Sequence, residues 1–74
     1  QFSDAEAQFR RVLGLLPAPD WYSHYGLGVA LAGQERFDEA EAELRQSLKL
    51  APGHAAPTNL LALIDQARQA ASQV

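Results

Sequence analysis

Phe2-Ser3-Asp4-Ala5-Glu6-Ala7-Gln8-Phe9-Arg10-Arg11-Val12-Leu13-Gly14-Leu15-Leu16-Pro17 aligns without a gap on Phe37-Asp38-Glu39-Ala40-Glu41-Ala42-Glu43-Leu44-Arg45-Gln46-Ser47-Leu48-Lys49-Leu50-Ala51-Pro52. Phe, Ala, Glu, Ala, Arg, Leu, Leu and Pro coincide at an offset of 35 residues. Self-similarity at that period is the signature of stacked supersecondary units rather than of one closed globule.

Both copies open with a helix-start signal. Ser3 with Glu6, and Asp38 with Glu41, have the spacing of a capping box, which predicts helices beginning at Ser3 and Asp38. The aromatic before each cap, Phe2 or Phe37, is expected to be buried as a staple or as a plug between helices. Ala5, Phe9, Val12, Leu13 and Leu16 recur at three- and four-residue steps, and Ala40, Leu44, Ser47, Leu48 and Ala51 repeat that stripe. Glu6–Arg10 and Glu41–Arg45 are four apart in the favourable order, worth about 0.3 kcal/mol each on a solvated face. Pro17 and Pro52 stop these helices, because proline lacks the N–H and disfavours a helical residue before it.

Between the copies, Asp20 offers an N-cap after Pro19 for a helix through Trp21 to about Ala32, with Leu27, Ala30 and Leu31 as its core stripe. Gly28 within it costs about 1 kcal/mol of helix propensity relative to alanine, a cost that calls for a close contact. A last helix is marked by Pro57, tolerated in a first turn, and runs to about Ser72. Leu60, Leu61, Ile64 and Ala67 face the preceding helix, while Gln66, Arg68, Gln69 and Gln73 give the polar face of a terminal, capping helix. The fold class is therefore all-α: about four helices in antiparallel helix-turn-helix repeats of an α-solenoid.

Leu27-Gly28, Leu31, Ala40, Leu44 and Pro52 follow the order of the tetratricopeptide repeat, and the chain resembles that family over nearly its whole length. The resemblance implies one repeat domain over 1–74: 2–17 as the second helix of a preceding repeat, 21–54 as a complete repeat, and 55–74 as a following or capping helix. It also implies that Gly28 faces Ala40 where two helices approach closely, so that a large side chain at either position disrupts packing. The departures are His24, Leu31 and Ser47 at positions where the family favours an aromatic, a tyrosine and a small apolar residue. A fourth is Glu35, where the turn before the aromatic usually has glycine.

Composition narrows the chemistry. Without cysteine there is no disulfide, thiolate nucleophile or cysteine metal site, and the compartment is left open. With 6 Lys+Arg against 9 Asp+Glu the net charge is −3 and no basic face stands out, which argues against a nucleic-acid partner. No apolar run reaches the roughly 18 residues of a membrane span, and no signal-peptide pattern appears, so no membrane partner is expected. A chain with no methionine reads as a piece of a longer protein.

No catalytic constellation emerges. His24 has no carboxylate at metal-binding helical spacing, and His54 falls in a turn. Glu39, Glu41 and Glu43, at alternate helical positions, point different ways and read as solvated surface. Gly26, Gly28 and Gly33 lack the spacing and the preceding strand of a phosphate loop. The chain is expected to be no enzyme and to hold no cofactor and no metal.

Trp21, Tyr22 and Tyr25 form the one constellation suited to recognition. Tyr22, Tyr25 and Val29 share a helix face distinct from the Leu27–Leu31 stripe, and either finish the core or line a groove. In the resembled family the first helices of successive repeats line a concave groove. The matching positions are Tyr22, Tyr25, Val29 and Ala32, with Asn59, Leu63 and Gln66 from the last helix. Family members that clamp chaperone-tail carboxylates place Lys and Asn where this chain has Tyr25 and Val29. Lacking that cation, the surface suits an amphipathic helix or an extended apolar peptide. The expected function is a protein–protein interaction scaffold. The alternatives are a self-associating structural module, forming a homodimer through the first helix or an end face, and a regulatory appendage of an enzyme in a longer chain.

Overall fold

The computed structural model describes residues 1–15 and 20–72. Leu16, Pro17, Pro19 and Gln73, invoked above, lie outside them. The described residues form four helices and no strand: α1 (Phe2–Leu15), α2 (Trp21–Gly33), α3 (Phe37–Leu50) and α4 (Ala55–Ser72). Each helix packs on its neighbour in sequence, most extensively α2 on α3, and α2 also touches α4.

The core sits where α2, α3 and α4 meet. Leu27, Leu31, Ala40, Leu44 and Ile64 are buried together, with Phe9, Leu13, Phe37, Leu60 and Leu61 packed around them. Gly28 lies against Leu44 and Ala40: a Cβ built there would stand 2.8 Å from Leu44 Cγ and 3.4 Å from the Ala40 carbonyl oxygen. The helix propensity lost at Gly28 is exchanged for this close crossing.

The start of α2 matches its cap residue. Asp20 is extended, and its Oδ1 accepts the Ser23 backbone N–H at 2.7 Å. That bond holds the Asp20 carboxyl below its ordinary pKa. The capping boxes are corrected. Helices α1 and α3 begin one residue earlier than expected, at Phe2 and Phe37, so Ser3 and Asp38 lie inside the first turn. Arg36 is the N-cap of α3 and makes no side-chain cap bond; Glu41 reaches Arg45 at 3.3 Å instead.

The turn before α3 explains the shift of its start. The Arg36 N–H donates to the Leu31 carbonyl and the Glu35 N–H to the Ala32 carbonyl, each at 3.0 Å, with Glu35 at φ 60°. This is the Schellman closure of α2, and it delivers the chain to α3 at Arg36. A glutamate in the left-handed region is strained where glycine is not. Glu35→Gly is therefore expected to stabilise the fold by about 0.5–1 kcal/mol, read as a higher urea midpoint at unchanged m.

Phe2 is also corrected. The residue is 49% exposed rather than buried, and its ring rests on Gly33. Phe9, seven residues on, rests on Gly26, seven residues before Gly33. The two phenylalanines of α1 thus seat on two glycines of the antiparallel α2, where a Cβ at either glycine would collide with the ring. Polar bonds reinforce the same pairing: Glu6 accepts from Arg36 Nη1 at 2.7 Å and from Gln34 Nε2 at 2.9 Å, while Arg10 Nε of its own helix donates to it at 3.0 Å. The Gln34 bond, with the two guanidiniums, holds the Glu6 carboxyl below the ordinary range. At the other end Arg68 Nη2 lies 2.9 Å from Asp38 Oδ1, an ion pair without hydrogen-bond alignment that ties α4 to α3.

Candidate functional site

Helix α1 carries nearly the same apolar stripe as α3, yet the two are buried very differently. Ala40, Leu44 and Ser47 of α3 are covered, whereas α1 has no fully buried residue. The stripe of α1 meets α2 on one flank only. The other flank stays open and forms, with α2, an apolar groove of about 290 Å³. Phe2, Ala5 and Phe9 make its α1 wall; Tyr22, Tyr25, Gly26, Val29 and Ala30 make its α2 wall.

Tyr22 is 59% exposed at the mouth of this groove, while Tyr25 is half-buried and packs on the core edge. Trp21 organises both tyrosines. Its ring meets Tyr22 edge-on at 5.7 Å and Tyr25 at 6.1 Å, and stacks on His54 at 3.7 Å. The His54 stack pins the α3–α4 turn to the start of α2, and the Ser47 hydroxyl donates to the Trp21 carbonyl at 2.7 Å. His24 Nδ1 lies 2.7 Å from Glu43 Oε1 across the α2–α3 crossing, a bond that needs the proton on Nδ1 while Glu43 is ionised. Both histidines thus have packing partners on neighbouring elements, and among the described residues no group of three His, Asp or Glu is placed to hold a metal ion.

The residues named from the sequence separate into two sets. Tyr22, Tyr25 and Val29 come together in the α1–α2 groove. Ala32 is partly buried against the core, and Asn59, Leu63 and Gln66 stand exposed on α4, none of them lining that groove. Phe2, Ala5, Phe9, Gly26 and Ala30 were not named as groove residues, and the seven-residue spacing shared by Phe2/Phe9 and Gly26/Gly33 was the available signal. Chemically the groove offers aromatic faces, methyl groups and two phenol hydroxyls, which can hold an apolar side chain and orient a polar one. Among the described residues no helix is long and apolar enough to cross a membrane.

Residues 21–54 match the family model described as tetratricopeptide repeat. No curated protein and no solved structure matches the chain.

Proposed function

We propose that this chain, a member of the tetratricopeptide repeat family through residues 21–54, is a non-enzymatic interaction scaffold that binds a peptide or helix of a partner protein. Repeats of this family generally mediate protein–protein interactions, which supports the class of function. The observation that carries the reading for this chain is the open apolar groove with Tyr22, Tyr25 and Val29 on its α2 wall. The second surface foreseen, Asn59, Leu63 and Gln66 with Ala32, extends the scaffold along the first helices of the repeats. Selection from a displayed library of helical and extended peptides tests the proposal. Tyr25→Ala is expected to weaken the selected ligands by about 1–2 kcal/mol with helicity unchanged, and the more exposed Tyr22→Ala to weaken them at no cost in stability. A drop in thermal stability with no separable loss of binding would place Tyr25 in the core and remove the reading.

A second reading, self-association as a homodimer, is favoured by one observation. Val12 and Leu15, three residues apart on α1, are 42% and 77% exposed. Covering such side chains contributes about 1.5–3 kcal/mol each. Sedimentation at rising concentration is expected to give a dimer that Val12→Glu with Leu15→Glu dissolves. A monomer throughout the range overturns it.

A further inference from the structure

We infer that Arg36 is a latch that fixes the angle between α1 and α3 by holding a carboxylate of each. The inference goes beyond the proposed interaction role and stands on packing alone, so it holds or fails whether or not a partner enters the groove. Helices α1 and α3 each pack on α2, but their backbones make no contact with one another. Among the described residues the ion pairs that join them are Arg36 Nη1 to Glu6 Oε1 at 2.7 Å and Arg10 Nη2 to Glu39 Oε2 at 3.9 Å. Arg36, the N-cap of α3, also grips Glu39 twice, Nε to Oε1 at 3.0 Å and Nη2 to Oε2 at 2.7 Å. One planar guanidinium thus spans the carboxylates of two helices, a geometry that a lysine ammonium cannot reproduce.

An isolated surface ion pair holds little, and networks with bidentate geometry are the exception. Here two anions and two cations alternate: Glu6 and Arg10 come from α1, Arg36 and Glu39 from the start of α3. The Glu6 side chain is only 14% exposed, and Gln34, which bonds it at 2.9 Å, is itself tied to the Ala30 carbonyl of α2 at 3.2 Å. Beneath α1 the seat is two phenylalanine rings on two glycines. Such apolar contact is non-directional, so it fixes the distance between helices better than their angle. The directional bonds of Arg36 supply what that seat lacks. The latch occurs once: 34 residues after Arg36, α4 has Ala70, and Glu41, the equivalent of Glu6, pairs with Arg45 of its own helix. The Gln34 bond holds the Glu6 carboxyl, and the Arg36 bond that of Glu39, below the ordinary carboxylate range. The latch is therefore closed above that range and opens as pH falls through the lowered values.

Because the chain has no cysteine, Arg11→Cys with Gln46→Cys, exposed equivalents on α1 and α3, accept one pair of spin labels. Their distance distribution, read by pulsed electron spin resonance, is expected to be narrow at neutral pH. It is expected to broaden in Arg36→Met with helical circular dichroism unchanged; the cap of α3 is untouched, since Arg36 makes no side-chain cap bond. Glu6→Ala leaves the Arg36–Glu39 pair in place and is expected to broaden the distribution as much, which decides the matter should Arg36→Met fail to fold. Arg45→Met, which breaks a pair within α3 alone, is expected to leave it narrow. Acid is expected to broaden the distribution in the otherwise unchanged labelled chain before helicity is lost, and to add nothing in Arg36→Met. An unchanged distribution in Arg36→Met and Glu6→Ala, even with a lowered urea midpoint, would make the network a stabilising contact only and overturn the inference. Equal broadening in Arg45→Met would overturn it as well.

Discussion

Leu44→Ala is expected to cost about 2–5 kcal/mol, the range for emptying a fully buried leucine site. Leu44 is 0% exposed, belongs to the cluster joining α2, α3 and α4, and packs on the bare face of Gly28. Because Gly28 has no side chain to move into the space, the cavity cannot close from that side, which places the effect in the upper part of the range. A chain of 74 residues has roughly 4–11 kcal/mol in total at ordinary stability per residue, so the loss is a large share of it. At about 4–8 °C per kcal/mol the melting midpoint should fall by more than about 10 °C. Leu50→Ala on the same helix removes the same atoms from a side chain that is 51% exposed and is expected to cost under about 0.5 kcal/mol. Similar losses at the two leucines would mean that the α2–α3 crossing is not the centre of the core.

The helices were legible because their signals are local. Asp20 announced α2 by residue type alone, and the spacing of Leu27, Leu31, Ala40 and Leu44 announced which faces are buried. The cap of α3 was misplaced for a reason that is not local. A capping box competes with the turn that feeds it, and the Schellman closure of α2 leaves Arg36, not Asp38, at the cap of α3. Residue type did not disclose that closure, since it puts Glu35 at φ 60°; the only pointer was the family's usual glycine at this position.

The groove was half legible for a related reason. An amphipathic stripe says that a face is apolar, not which helix covers it. The stripes of α1 and α3 are nearly the same sequence, yet one is enclosed on both flanks and the other on one. Tyr22, Tyr25 and Val29 could be set apart because they leave the Leu27–Leu31 stripe, whereas Ala5 and Phe9 lie on the α1 stripe, which reads as a packing or self-association face, and Phe2 reads as a staple before it. The bond between His24 and Glu43, 19 residues apart, and the stacking of His54 on Trp21 join different elements, so no helical spacing could have disclosed them.

Ala40→Leu tests the repeat register most directly. Ala40 is 0% exposed, and its carbonyl oxygen lies 3.4 Å from where a Gly28 Cβ would be, so α2 and α3 cross there at nearly backbone contact. Three added carbons have no room. They must push Leu27 or Leu31 off its rotamer or force the helices apart, and overpacking of this kind costs about 1–3 kcal/mol. Ala42→Leu adds the same atoms two residues later on an exposed face and, with leucine and alanine nearly equal in helix propensity, should be close to neutral. The contrast separates packing from propensity, because only the position relative to α2 differs. Denaturant titration of the two variants is expected to show a lowered midpoint for Ala40→Leu and an unchanged one for Ala42→Leu. Equal effects would mean that α3 is rotated about its axis, and the alignment that pairs Ala5 with Ala40, and with it the covered and open surfaces, would fail.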